Sequence, residues 1–202
     1  MAAPTQARRV RYAIVAALAL TSLVTWTATA SATVMKYVDL ARLVEISDVV
    51  VQGRIVNQQT YLDEEYGHVV TDTTVEVDQT FLGRSTKTVT FQQWGGAYDG
   101  KIAAIPGDAS FEPYEEVILF LARGKKGNDR GKLFLSALGQ SKYTVTGSGD
   151  HARVTRDLSH LAFLVETPDG SHISGRPPEV REYKAFVAEL RSLIEGIKGG
   201  RR

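Results

Sequence analysis

The chain has 202 residues, contains no cysteine and carries a formal net charge of +1 when its histidines are neutral. The lack of cysteine excludes disulfides, thiolate catalysis and cysteine-ligated zinc. The near-neutral charge lacks the basic excess of a typical nucleic-acid-binding domain, so we predict no nucleic-acid partner.

The first thirty-two residues have the pattern of a secretory signal peptide. Three arginines within residues 8–11 form a basic start, residues 12–26 are predominantly apolar, and Ala30-Ser31-Ala32 supplies a small-x-small cleavage site. The apolar stretch is shorter than the roughly 20 residues that a membrane-spanning helix needs. We therefore expect cleavage after Ala32 and an exported protein, secreted or periplasmic, that keeps no membrane attachment.

The chain that remains after cleavage has the size of one domain. It has 170 residues, with 21 Lys and Arg against 23 Asp and Glu, so its formal net charge is −2. This length is sufficient to bury a sizeable core without disulfides. We predict a single domain over residues 33–202.

A short helix followed by strands opens this domain. Apolar residues recur at helical spacing from Val38 to Ile46, and Asp39 is a typical N-cap residue. The period then becomes two, which predicts strands over residues 49–55, 68–81, 87–94, 116–122, 133–138 and 143–145. Residues 117–121 are all apolar, which predicts a central strand that is covered on both faces.

The intervening and final segments complete the predicted fold. Residues 61–67 are predicted as a hairpin loop and residues 95–114 as a long loop, and residues 158–165 could be a strand or a helical turn. A C-terminal helix is predicted over residues 178–198, because Pro178 suits the first helical position and an apolar stripe follows it.

These elements predict a mainly β (α+β) fold. Five or six short strands with helical cover favour a small OB-like antiparallel β-barrel with a short N-terminal helix and a C-terminal helix. Gly53 inside the first strand favours a barrel, since a glycine there allows a sharp bend. A β-sandwich is the alternative.

Three segments carry a family resemblance. They are SDVVVQGRIV at residues 47–56, TDTTVEV at 71–77 with FLG at 81–83, and YEEVILFL at 114–121 after Phe111. In this order they resemble a group of exported bacterial β proteins and, more distantly, the OB-type barrel of netrin-like modules and tissue inhibitors of metalloproteinases. The resemblance implies a barrel and the binding of another exported protein, such as a protease. Those inhibitors depend on an N-terminal cysteine and disulfides that this chain lacks, so no inhibitory residue carries over.

No motif assembles a catalytic or metal site. The four histidines at 68, 151, 160 and 172 lack zinc-binding spacing, and there is no G-x-S-x-G elbow. Residues 147–151 group a serine, an aspartate and a histidine, but their glycines are typical of a turn. We predict no cofactor or metal and a non-enzymatic binding module. The alternatives are a hydrolase with a dispersed active site and a structural envelope protein.

The loop around Trp94 is the most suggestive binding surface. Exposed Trp and Tyr anchor many interfaces, and paired glycines let a partner's backbone approach closely. The other interpretation, favoured by the high average burial of tryptophan, is that Trp94 and Tyr98 cover one end of the core. The binding hypothesis joins this loop to the new N-terminus in one surface, which comprises Thr33, Trp94, Gly95, Gly96, Tyr98 and Asp99.

Overall fold

The structure is a computed structural model that describes residues 34–65, 67–125 and 127–200. The predicted signal peptide and Thr33 lie outside the described residues. Two helices and thirteen strands form within them. In chain order these are β1 (Val34–Met35), α1 (Leu40–Ile46), β2 (Val49–Asp63), β3 (His68–Leu82), β4 (Thr88–Trp94), β5 (Gly96–Tyr98), β6 (Lys101–Ala103), β7 (Glu116–Arg123), β8 (Leu133–Gly139), β9 (Lys142–Thr146), β10 (Arg153–Arg156), β11 (Ala162–Thr167), β12 (Gly170–Gly175), β13 (Glu179–Glu182) and α2 (Tyr183–Gly200). The predicted mainly β fold with two helices is confirmed.

One large sheet carries most of the strands. Its order is β13-β10-β9-β7-β2-β3-β4, and β8 pairs with β7 beside β9. The strands β1, β11 and β12 form a separate three-stranded sheet, and β5 pairs only with β6. The path β4-β3-β2-β7-β8 therefore contains five strands in the neighbour order of a small barrel.

The OB-like barrel that the sequence predicts does not close. Within the described residues no backbone pairing joins β4 to β8. The reason lies in β7, whose second edge is divided between two strands. Residues 121–123 of β7 pair with β8, whereas residues 117–119 pair with β9. Only three residues of β8 are therefore held in the sheet by β7, and β4 and β8 remain unpaired edges.

Strand β7 is covered on both faces, as its apolar run predicts. Val117, Leu119 and Leu121 point into the barrel-side core, which also contains Phe91. Ile118 and Phe120 point to the opposite side and form a helix-side core with α1 and α2. Burial on both faces accounts for the unbroken apolar run at residues 117–121, which lies between the charged ends of the strand.

The predicted N-terminal helix forms with the predicted cap. The Asp39 carboxylate accepts a hydrogen bond from the Arg42 backbone N–H at 2.8 Å. At the other end, the Ser47 hydroxyl donates to the Leu43 carbonyl at 2.6 Å. Leu43 and Val44 are buried in the helix-side core. Both ends of α1 are therefore set by local hydrogen bonds that the sequence makes visible.

The hairpin of β2 and β3 is longer than predicted. Strand β2 continues to Asp63, so the loop begins three residues later than expected. The side chains of Thr60 and Tyr61 bond across the hairpin to Thr71 and Asp72. These cross-strand hydrogen bonds extend the pairing into a segment whose apolar periodicity had already ended.

The predicted start of the C-terminal helix is wrong. Helix α2 begins at Tyr183, and residues 179–182 form β13, which pairs with β10. Pairing with the free edge of β10 satisfies the backbone groups of this segment, and Val180 is 62% exposed rather than part of the helix stripe. Further along the stripe, Val187, Leu190 and Ile194 are buried as predicted.

The ambiguous segment 158–165 resolves into a short turn and β11, which forms a hairpin with β12. Among the described residues no helix is long and apolar enough to span a membrane.

Candidate binding site

The open seam between β4 and β8 contains a cavity of about 240 Å³. We call it the seam cavity. It is lined by Gln92, Gln93, Trp94, Ile105, Asp108, Phe134, Leu135 and Leu138. Most of these side chains are apolar, and a few polar groups converge on them. A mostly apolar concavity with a few fixed polar groups is the usual form of a ligand site.

Side chains bridge the seam where backbone pairing is missing. The Gln93 amide donates from Nε2 to the Ala109 carbonyl at 2.8 Å. The Lys132 ammonium, which precedes β8, lies 3.3 Å from Gln92 Oε1 and 3.4 Å from Asp63 Oδ2. The Lys132 contact ties the start of β8 to β4 without a strand ladder, and the Gln93 hydrogen bond ties β4 to the loop between β6 and β7.

Trp94 is an exposed aromatic side chain at the seam. It is the last residue of β4 and is 48% exposed, and Tyr98 is 42% exposed. The Trp94 ring packs beside His68 with a centroid separation of 5.7 Å and an interplanar angle of 31°. The interpretation that Trp94 and Tyr98 cover the core is therefore wrong. The average burial of tryptophan does not apply here because β4 is an edge strand and Trp94 lies at its end.

A short hairpin projects from the chain immediately after Trp94. Strands β5 and β6 are joined by Asp99 and Gly100, which have φ values of +48° and +69°. Two residues at positive φ are typical of a type I′ turn, for which Asp-Gly is a preferred sequence. The prediction of a long loop over residues 95–114 missed this hairpin, although the Asp-Gly dipeptide is a local signal for it. Asp99 shapes this turn.

Large apolar side chains near the seam are exposed to solvent. Ile102 on β6 is 84% exposed, and Ile105 in the following loop is 39% exposed. We call Trp94, Tyr98, Ile102 and Ile105 the apolar rim. Two of its members, Trp94 and Ile105, also line the seam cavity. The register pairs Ala97 with Ile102 and Tyr98 with Lys101, so Tyr98 and Ile102 lie on opposite faces of the hairpin. Exposed apolar side chains beside a cavity, as at Trp94 and Ile105, are typical of interaction surfaces.

The paired glycines serve the chain's own packing. Gly95 and Gly96 have φ values of +96° and +133°. A Cβ atom on Gly95 would lie 2.3 Å from the Ala103 carbonyl oxygen, and one on Gly96 would lie 2.4 Å from Thr71 Oγ1. The predicted close approach is therefore intramolecular: it lets the β5–β6 hairpin pack against β3 and does not leave room for a partner's backbone.

Asp108 is a partly buried acid that lines the seam cavity. Its Oδ1 accepts a hydrogen bond from the Ala109 N–H at 2.9 Å. Burial raises the pKa of Asp108 above its usual value, and hydrogen bonds from the Ala109 backbone and the Gln93 side chain oppose that rise. In the described part of the chain no ion pair reaches this carboxylate.

Leu138 adds backbone strain to the wall of the cavity. Its φ of +51° is uncommon for a residue other than glycine. The turn that follows holds it there, because Ser141 N–H bonds to the Leu138 carbonyl and Ser141 Oγ accepts from Ala137 N–H. Strained residues of this kind cluster at functional sites, which is a second reason to regard the seam cavity as the candidate site.

A smaller polar cavity of about 170 Å³ adjoins Asp108 and contains Asp157, His160 and Lys142. Asp157 accepts hydrogen bonds from the backbone N–H and the hydroxyl of Ser159, and these bonds lower the pKa of Asp157. Among the described contacts no hydrogen bond joins His160 to Asp157 or Lys142. No group of three or more His, Cys, Asp or Glu side chains in the described ranges could hold a metal ion.

The structure brings together most of the predicted surface. Trp94 ends β4, Gly95 links it to β5, Gly96 and Tyr98 lie in β5, and Asp99 begins the β5–β6 turn. Thr33 lies outside the described residues. Its neighbour, Val34, belongs to the three-stranded sheet through β1, and Trp94 belongs to the large sheet. The seam cavity, with Asp108 and β8, was not predicted, because no local pattern links residues 92–108 to residues 134–138.

Comparisons with known protein families, curated proteins and solved structures find no match. The resemblance to netrin-like modules therefore stays a prediction.

Proposed function

We propose that the protein is an exported, non-enzymatic binding module that engages another exported protein, such as a protease, through the apolar rim and the seam cavity. The observation that supports this proposal most directly is the half-exposed Trp94 beside an open apolar cavity. Tryptophan anchors that sit in or beside pockets dominate the binding energy of many interfaces.

The construction of the rim supports this proposal. Gly96 packs closely against Thr60 and Thr71, and Gly95 donates to the Val69 carbonyl at 2.7 Å and accepts from the Thr71 hydroxyl at 2.8 Å, so the start of the hairpin is tied to β2 and β3. A surface that is ordered before it binds loses little conformational entropy on association. The backbone directly after Trp94 is thus fixed before a partner binds.

A structural envelope role is the second candidate, and a separate surface favours it. Leu164 on β11 and Ile173 on β12 are cross-strand partners that are 37% and 62% exposed, and β12 is an edge strand. Exposed apolar edge strands promote pairing between chains. Self-association of the purified protein that Ile173→Lys abolishes and Trp94→Ala leaves intact would favour this second role.

The exported form should begin at Thr33. The tripartite pattern of residues 1–32 directs secretion and cleavage after Ala32. N-terminal sequencing of protein recovered from the exported fraction measures this directly. A membrane-bound product that retains Met1 would contradict both the cleavage and the proposed location.

Trp94→Ala should weaken partner binding by about 2 kcal/mol or more, as expected for an interface anchor. The free energy of unfolding should change by less than about 1 kcal/mol, because a half-exposed side chain leaves only a small cavity. A partner captured from the exported fraction is titrated against the wild-type protein and against Trp94→Ala. Denaturant unfolding is measured on the same samples.

The matched control is Tyr114→Ala. Tyr114 is another exposed aromatic residue, 77% exposed, and it lines neither the seam cavity nor the polar cavity. This variant should retain full affinity. A folded Trp94→Ala protein with wild-type affinity would remove the apolar rim from the proposed function.

A further inference from the structure

Asp108 is the one acidic group among the residues that line the seam cavity. The two nearby lysines are already engaged elsewhere. The Lys142 ammonium bonds to Glu115 at 2.7 Å and to the Ser110 carbonyl at 2.6 Å. The Lys132 ammonium lies against Asp63 and Gln92. The chain therefore presents to this cavity a carboxylate with no ion-pair partner among the described residues.

The rest of the lining is suited to a long aliphatic chain that ends in a cation. Leu135, Leu138 and Phe134 provide apolar walls, and the Trp94 ring at the mouth offers a face that attracts cations. Lysine side chains bury their methylene stems along apolar surfaces while the ammonium keeps a polar contact. The cavity of about 240 Å³ combines both kinds of contact.

The hydrogen bonds of Asp108 favour an ammonium over a guanidinium. Arginine recognises carboxylates best through two parallel hydrogen bonds, one to each oxygen. At Asp108, Oδ1 already accepts the Ala109 N–H at 2.9 Å and the Gln93 side chain also bonds to the carboxylate, so the two oxygens are not both open to a bidentate partner. A compact ammonium needs only one free lone pair and is not penalised by this arrangement.

We propose that the seam cavity receives a lysine side chain of the protein partner, with its stem against Leu135 and Leu138 and its ammonium at Asp108. The inference rests on the proposed function, since it names the chemistry that the same site recognises. Burial also supports it: a carboxylate whose ionised form is disfavoured by desolvation gains from a cation that arrives with its own apolar stem.

The test uses n-pentylammonium chloride as a probe that copies the end of a lysine side chain. The chain has two tryptophans, Trp26 and Trp94, and the expected exported form, which begins at Thr33, keeps only Trp94, so Trp94 is the sole tryptophan that reports on the cavity. Titration of this protein should give a saturable change in Trp94 emission. At equal ionic strength, n-pentanol and n-pentylguanidinium should bind more weakly than n-pentylammonium.

Asp108→Asn, made in the same exported form, should weaken the affinity for n-pentylammonium about tenfold or more, because a charge-assisted contact is lost. Asparagine keeps a side-chain oxygen for the Ala109 N–H. The matched control is Asp157→Asn, which removes the other carboxylate that lines the adjoining polar cavity and should leave the affinity unchanged.

Ile105→Lys provides a second variant in case Asp108→Asn does not fold. Ile105 lines the cavity and is 39% exposed, so a lysine there can keep its ammonium near solvent and also reach Asp108. This variant should weaken probe binding by competing within the same molecule. Unchanged affinity in a folded Ile105→Lys protein would overturn the inference.

Three further results would also overturn it: n-pentanol binding as tightly as n-pentylammonium, wild-type affinity in folded Asp108→Asn, or loss of affinity in Asp157→Asn alone. These outcomes are separate from those for the proposed function. The probe titration contains no partner, so it can fail while Trp94→Ala still weakens partner binding. Conversely, the probe can bind at Asp108 while Trp94→Ala leaves partner binding unchanged.

Discussion

Replacing Arg156 by alanine is expected to lower the free energy of unfolding by about 3–5 kcal/mol, the range for removing one partner of a buried charge cluster. Arg156 is fully buried. Its Nε donates to the Gln140 carbonyl at 2.8 Å, and its Nη2 donates to the Val38 carbonyl at 2.7 Å. Denaturant unfolding of the purified variant measures the loss.

The loss should come from groups left without partners as well as from the cavity. Arg156 also lies 3.4 Å from Glu179 and faces the rings of Tyr37 and Tyr143. Removing the guanidinium leaves two carbonyls without their donor, which is costly when they are buried. It also breaks the ion pair with Glu179, which keeps the Tyr37 hydroxyl as a donor. Arg156→Lys should recover only part of the stability, because one ammonium cannot reach all of these acceptors.

Arg153→Ala is the control on the same strand. Arg153 is exposed at the start of β10, so its removal should change the free energy of unfolding by no more than about 0.5 kcal/mol. If Arg153→Ala and Arg156→Ala lowered the free energy of unfolding equally, the contacts of the buried Arg156 would add no more stability than an exposed arginine does.

Leu190→Ala should destabilise the fold by about 2–5 kcal/mol, the range for truncating a fully buried leucine. Leu190 lies on α2, is fully buried and belongs to the helix-side core that covers β7. Losing its contacts removes both the transfer free energy of the side chain and the packing around the cavity. Equilibrium unfolding monitored by far-UV circular dichroism gives the value.

Ser192→Ala on the exposed side of α2 is the matched control. Alanine is a better helix former than serine, so this change should be neutral or slightly stabilising. A Leu190→Ala effect smaller than about 0.5 kcal/mol would mean that α2 is not part of the cooperative unit.

The buried arginine also ties the N-terminal segment to the neighbourhood of the candidate site. Gln140, whose carbonyl accepts from Arg156, bonds through its side chain to the Val38 N–H and the Lys36 carbonyl. Leu138, two residues earlier, lines the seam cavity. Damage at Arg156 should therefore disturb the cavity as well as stability, so the Trp94 and Asp108 experiments are kept separate from this position.

The accuracy of the sequence-based interpretation depended on how local each signal was. The Asp39 cap and the burial of β7 on both faces follow from residues that are neighbours in the chain, and both are confirmed. The β5–β6 hairpin was missed even though Asp99-Gly100 signalled it. The segment 179–182 could not have been assigned locally, because its pairing with β10 depends on an edge some 25 residues away.

By itself the sequence determined the mainly β class, six of the thirteen strands and the two helices, because periodicity and caps act over a few residues. Only the tertiary structure decided that β4 and β8 do not pair with each other, that Trp94 is exposed beside them, that Arg156 is fully buried and that Asp108 is partly buried. These outcomes depend on which strand takes each free edge and on which distant groups surround a side chain. Packing across the whole domain decides which strands pair, and the candidate site lies where the edges of β4 and β8 remain open.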